Sequence, residues 1–202
     1  NSAIVLTQVF PNLDLTSPLF LLERPGDATH FYAIERAGRV VRWDNNDNNA
    51  TTPEVFCDIR GRVETTDSGN SEQGLLGIAF HPDDGLNDEM YLSYTALNDN
   101  DSCPFGAGLS CDFESRVSRF TIDDNGCDTG SETILLDIDD FAGNHNGGHL
   151  QFAPDGTLFL GMGDGGFAND PGRTAQSLDS LLGKMIRIDV DRAENGKNYA
   201  IP

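Results

Sequence analysis

Positive charge is scarce in this chain. Thirteen lysines and arginines stand against 33 aspartates and glutamates, for a net charge of −20. That balance excludes nucleic acid as a partner, because phosphates require a basic surface, and it disfavours docking on anionic membranes. Long apolar runs are also missing, and nothing approaches the ~20 residues that cross a bilayer, so no membrane insertion is expected. The opening NSAIVLTQVF has no basic segment ahead of an apolar core. No signal peptide is therefore visible, and the chain reads as mature material after processing. Zinc-site spacing is absent too. None of Cys57, Cys103, Cys111 and Cys127 forms a CxxC, and no histidine pair stands at finger spacing. An even cysteine count in a turn-rich acidic chain favours disulfides and an oxidising compartment, extracellular or periplasmic. Three pairings are possible. Closure of the short loop CPFGAGLSC favours Cys103 with Cys111, leaving Cys57 for Cys127. Sequons stand at Asn49 and Asn100.

Helical periodicity is nearly absent. Only residues 175–182 read as helical, with Leu178, Leu181 and Leu182 on one side and Gly183 as the stop. What the chain has instead is glycine, 22 residues of it, and nine prolines, distributed as turns between short alternating runs. Strands are expected over 19–23, 30–36, 39–44 and 54–59, then 77–80, 90–96, 116–122 and 133–138, then 150–152, 158–161 and 185–189. The runs repeat. IAFHPDD matches LQFAPDG, MYLSYT matches TLFLGMG, and RVSRFTID matches KMIRIDVD. FYAIER and RVVRWDN take the corresponding places earlier, more loosely.

Four short strands recurring about every 70 residues form the pattern of propeller blades. The expected fold is therefore all-β, a single incomplete β-propeller over 1–202 with repeats at roughly 16–60, 74–140 and 144–202. The third blade lacks its outermost strand. Closed rings need about four to eight blades, so three would leave apolar faces uncovered. The missing C-terminal half of the ring, or another chain, is the expected partner. Trp43, Phe80, Tyr91, Phe152 and Phe159 are core candidates, and His81 and His149 read as structural. The Asp/Asn run at 44–49 lacks the glycine and terminal glutamate of a calcium loop and reads as an exposed turn.

The stretch with most chemistry in it runs from Gly143 to Gly166, GNHNGGHLQFAPDGTLFLGMGDGG. Pro154-Asp155-Gly156 is a turn between two alternating runs, hence a hairpin. Both of its open ends carry glycine-rich polar loops, which let backbone approach a bound group closely. His145 stands in the first of these loops and can move a proton near neutral pH.

Three motifs in order, SEQGLLGIAFHPD, NHNGGHLQFAPDGTLFLGMGDGG and AQSLDSLLGKMIRID, resemble the glucose/sorbosone dehydrogenase family of six-bladed propellers. The resemblance implies pyrroloquinoline quinone (PQQ) as cofactor and a sugar or other small alcohol as substrate. His145 would take the proton of the anomeric hydroxyl while hydride passes to the quinone. It also implies cofactor contacts at Glu72, Gln73 and Asn144, with three departures. The family's enzymes carry Gln where Glu72 stands, with Gln73 one residue late. Asn144 often corresponds to Asp. The basic residues that clamp the quinone belong to the family's second half, so this chain alone is not expected to hold it. Asp164 and Asp170 are candidate calcium ligands, the alternative being that Asp164 pins its own loop. The second function consistent with the scaffold is a non-catalytic extracellular propeller serving in binding or surface assembly.

Overall fold

The computed structural model describes residues 4–66, 71–83, 87–98, 103–105 and 108–202. Among these residues the chain is all-β, a partial propeller of three antiparallel sheets with no α-helix and a single 3₁₀ turn at Thr129–Ser131. The first sheet orders β1 (Pro18–Leu22), β2 (His30–Glu35), β3 (Arg39–Asp44) and β4 (Glu54–Asp58) as neighbours. The second contains β5 (Leu75–Phe80), β6 (Glu89–Leu97), β7 (Phe113–Asp123) and β9 (Thr133–Asp140), with the two-residue β8 (Gly126–Cys127) paired to the far end of β7. The third is three-stranded: β10 (Gly147–Phe152), β11 (Leu158–Met162) and β12 (Met185–Ile188).

The middle sheet explains why β6 looks too apolar for a half-exposed strand. Residues 90–96 are all buried. Their alternation sends Met90, Leu92, Tyr94 and Ala96 into a core shared with Tyr32, Ile34 and Phe56 of the first sheet. Tyr91 goes the other way, with Val117 and Leu136, onto Leu150, Leu158 and Leu160 of the third. Both faces of the middle sheet are thus covered, each large side chain contributing roughly 1.5–3 kcal/mol on burial. The strands β5 and β10 meet closely. A Cβ on Gly77 would stand 2.0 Å from the carbonyl oxygen of Gly148, so only glycine fits there.

Both favoured disulfides are present, Cys57–Cys127 and Cys103–Cys111. The first ties β4 of the first sheet to β8 of the second. Trp43, Phe80 and Tyr91 are buried; Phe152 and Phe159 are half-buried. The Asp/Asn run is an exposed turn in which Asp44 and Asp47 accept the backbone N–H groups of Asn46 and Asn49. Asn49 is exposed, and the sequon at Asn100 lies outside the described residues.

The expected helix over 175–182 does not form. Ser177 and Ser180 accept the N–H groups of Asp179 and Leu182 through their hydroxyls, the local competition that makes serine a poor helix-interior residue. The three leucines do not share a face either: Leu178 is 94% exposed and Leu182 fully buried. Among the described residues no helix is long and apolar enough to cross a membrane.

Candidate functional site

The site is built at the open end of the β10–β11 hairpin. Its register pairs Phe152 with Leu158 and, past a bulge, Gly147 with Met162. Two residues further on, His145 comes level with Asp164. The imidazole Nδ1 lies 2.7 Å from Asp164 Oδ1. The two loops approach so closely that a Cβ on Gly163 would fall 1.7 Å from the carbonyl oxygen of His145. His145 itself has φ 59°, left-handed backbone that a non-glycine residue holds only when its surroundings impose it.

Those surroundings are visible. The His145 N–H donates to Glu72 Oε2 at 2.6 Å, and the Glu72 N–H donates to the Gly143 carbonyl at 2.7 Å. The strap ahead of β5 therefore grips the loop from one side. From the other side, Asn144 Oδ1 accepts the Phe167 N–H at 3.2 Å, and the Asp164 carbonyl accepts the Thr174 hydroxyl. Phe167, at φ 63°, stacks on Phe141 while half its surface stays exposed.

The protonation pattern follows from the acceptors. Burial raises the Asp164 carboxyl, but the hydrogen bonds from His145 and the Gly166 N–H outweigh it and hold the group below its ordinary value. An ionised carboxylate only accepts, so the proton between the two rests on Nδ1. The neutral ring then carries its lone pair on Nε2, and the His145 side chain is 44% exposed. A carboxylate against one ring nitrogen orients an imidazole and stabilises it when the other nitrogen takes a proton.

Beneath the loop lies a buried carboxylate that the sequence did not single out. Asp140, fully buried, is pushed up to about 6 by burial, against hydrogen bonds from Asn146, Ala142 and Ser115. Asn146, also fully buried, donates from Nδ2 to Asp140 Oδ2 at 2.8 Å and to the Ala142 carbonyl at 3.2 Å.

The structure thus brings Glu72, Asn144, His145 and Asp164 together. Gln73 sits below them, fully buried, its carbonyl taken by Arg36 and its Oε1 by the Ser71 hydroxyl. Asp170 is linked to Asp164 through the Thr174 hydroxyl and spends its oxygens on the Thr174 and Ala175 N–H groups. Among the described residues no three His, Cys, Asp or Glu side chains gather as metal ligands would. The Asp164 pairing was accessible from the hairpin register. Asp140 had no such signal, since it ends an ordinary strand.

A family model described as glucose/sorbosone dehydrogenase matches residues 17–199. Human hedgehog-interacting protein is 31% identical over 192 residues, which is 94% of this chain and 25% of that protein. The aldose sugar dehydrogenase YliI of Escherichia coli is 31% identical over 122 residues, 59% of this chain and 29% of the enzyme. The PQQ-bound aldose sugar dehydrogenase of Streptomyces coelicolor superposes with a TM-score of 0.65 at 24% identity, over 93% of this chain and 50% of that one. This last likeness concerns the fold. The chain spans about a quarter of the length of the curated relatives it matches.

Proposed function

The chain belongs to the glucose/sorbosone dehydrogenase family, and from that premise we propose that it carries the proton-accepting part of a quinone-dependent sugar or alcohol dehydrogenase. The observation behind this reading is the His145–Asp164 pair, with Nδ1 held by the carboxylate and Nε2 left as acceptor. Nε2 takes the proton of the substrate hydroxyl, and Asp164 stabilises the imidazolium that results. Glu72 keeps the loop in place through the His145 N–H.

A bound pyrroloquinoline quinone supplies the two-electron acceptor for the hydride that leaves the same carbon. The loops fit the proton step of that chemistry, and the Asn144 amide is the neutral group beside His145 available to face the quinone. The ionisable side chains in and around these loops include Glu72, His145, Asp164, Asp170, Arg173 and Lys184, whose Nζ donates to the Thr174 and Ala175 carbonyls. With three carboxylates among them, the cluster does not by itself balance a tricarboxylate, and counter-charge from the rest of the ring is part of the proposal. The two disulfides support an extracytoplasmic compartment.

The test uses the full-length protein with PQQ, calcium, an aldose and an artificial electron acceptor. Turnover is expected, and His145→Ala should lower kcat by about 10²–10⁴-fold with quinone affinity little changed. No quinone binding, and none after Glu72→Gln, refutes the reading. That outcome would favour the second one, a recognition propeller. It is supported by Glu72 in the place of the enzymes' Gln, and by the extent of the match to a relative named for the protein it binds.

A further inference from the structure

Asp140 is an expensive residue to keep where it is. It is a carboxylate with no exposed surface, placed in the interface between the second and third sheets. Its hydrogen bonds come from Asn146 Nδ2, the Ala142 N–H and the Ser115 hydroxyl. Two of these three donors belong to the segment that follows it directly. Asn146 closes that segment by reaching back to both the Asp140 side chain and the Ala142 carbonyl. To make those two bonds the Asn146 amide leaves its Oδ1 buried without any partner. A buried unsatisfied acceptor is normally avoided at a cost of about 1–3 kcal/mol. The Asn146 amide spends its donors on tying residues 140–146 together, and Asn144 and His145 lie on the outer side of that tie.

We propose that Asp140 is a positioning residue for His145: through Asn146 and Ala142 it fixes the turn that holds His145 Nδ1 on Asp164 and leaves Nε2 free. Asp140 does not touch the reacting atoms. It acts through the backbone, because Asn146 is the next residue after His145 and its side chain is anchored at the base of the loop. With the anchor loosened, the left-handed His145 backbone loses one of its supports, and the ring loses its alignment on Asp164. The proposal rests on the reading of His145 as proton acceptor for its functional meaning, but not for its geometry.

The experiment reads the His145 ring directly by long-range ¹H–¹⁵N correlation at pH 8, which needs neither quinone nor turnover. The wild-type ring should be predominantly the Nδ1–H tautomer. Asp140→Leu keeps the branched shape and removes every acceptor, and should lower the Nδ1–H population at least twofold. Asp140→Asn keeps one acceptor and should fall between the two. If the leucine variant does not fold, the asparagine variant decides alone. A folded Asp140→Asn protein with the wild-type tautomer overturns the proposal. In the full-length protein the same substitution should lower kcat several-fold at unchanged sugar KM. If His145→Ala leaves turnover intact while Asp140→Asn still shifts the tautomer, the catalytic reading fails and the positioning role stands.

Discussion

Asp140→Asn should make the protein more stable at neutral pH and less stable in acid. The rise of the buried carboxyl from its ordinary 3.8 to about 6 corresponds to roughly 3 kcal/mol. Its sign follows from proton binding. Between these two values the folded chain holds the proton more tightly than the unfolded chain does. This group's contribution to stability is therefore greatest below about pH 4, declines as pH rises, and is lost above about pH 6. At pH 7 the ionised, desolvated Asp140 destabilises the native state by those ~3 kcal/mol relative to acid. Asparagine removes that term, but it cannot accept from both Asn146 and the Ala142 N–H, a loss of about 1 kcal/mol.

The expected balance is a gain of about 1–2 kcal/mol for the variant at pH 7. It should become a deficit of about 1 kcal/mol where both forms are neutral. Urea titrations of wild type and variant from pH 4.5 to 7.5 would cover roughly 2 of the ~3 kcal/mol. The other titrating groups are common to both proteins and cancel in the difference. Parallel stability curves, with a constant offset across that range, would refute the reasoning. They would mean that Asp140 is not the buried, destabilised carboxylate described above.

Other expectations follow from single contacts. Replacing Cys57 and Cys127 by serine opens a cross-link spanning 70 residues and should cost about 4 kcal/mol in urea unfolding. Opening the Cys103–Cys111 link, a separation of 8 residues, should cost less, about 2.5 kcal/mol. Gly77→Ala would place a methyl 2.0 Å from the Gly148 carbonyl, forcing β5 and β10 apart; a loss of at least 1–3 kcal/mol, seen as a lowered Tm, is expected. Phe167→Ala removes the half-exposed ring beside the His145 loop, and if the full-length protein turns over a sugar it should raise the KM more than it lowers kcat.

Much of the fold was legible because the strands repeat. IAFHPDD and LQFAPDG mark the same hairpin-forming element twice, and the expected strands differ from β1–β12 mainly at their ends. The failure at 175–182 is equally physical. Leucine spacing suggested a face, but Ser177 and Ser180 satisfy the backbone locally, and no neighbouring element covers Leu178, which is 94% exposed. At the site, His145 could be found from its loop and Asp164 from the register. The resemblance implied a cofactor contact at Glu72; what the sequence did not show is that its Oε2 accepts the His145 N–H. Asp140 was illegible, since its importance lies in a buried bond to Asn146 that only the packed sheets create.

The arrangement around His145 separates the two candidate functions more sharply than the fold does. A recognition surface needs a loop of the right shape, and shape can be supplied by apolar packing without buried charge. Here a fully buried carboxylate, an amide with an unsatisfied oxygen and a left-handed histidine are maintained together. Each lowers stability by a kcal/mol or more. What accompanies them is an imidazole whose Nδ1 lies 2.7 Å from Asp164 Oδ1, a contact that with an ionised carboxylate selects the Nδ1–H tautomer. A binding loop has no use for a tautomer, because either ring nitrogen can contact a partner. A proton acceptor requires it, and the strain concentrated in residues 140–146 and 163–174 is consistent with that requirement. The acidic lining of the same loops is what a binding reading explains better, through Glu72 in particular. A full-length Glu72→Gln protein thus weighs the two readings directly. If quinone affinity rises at unchanged Nδ1–H population, the Glu72 charge opposed quinone binding and the dehydrogenase reading gains. If neither the wild type nor the variant binds quinone, the tautomer is not used for this chemistry.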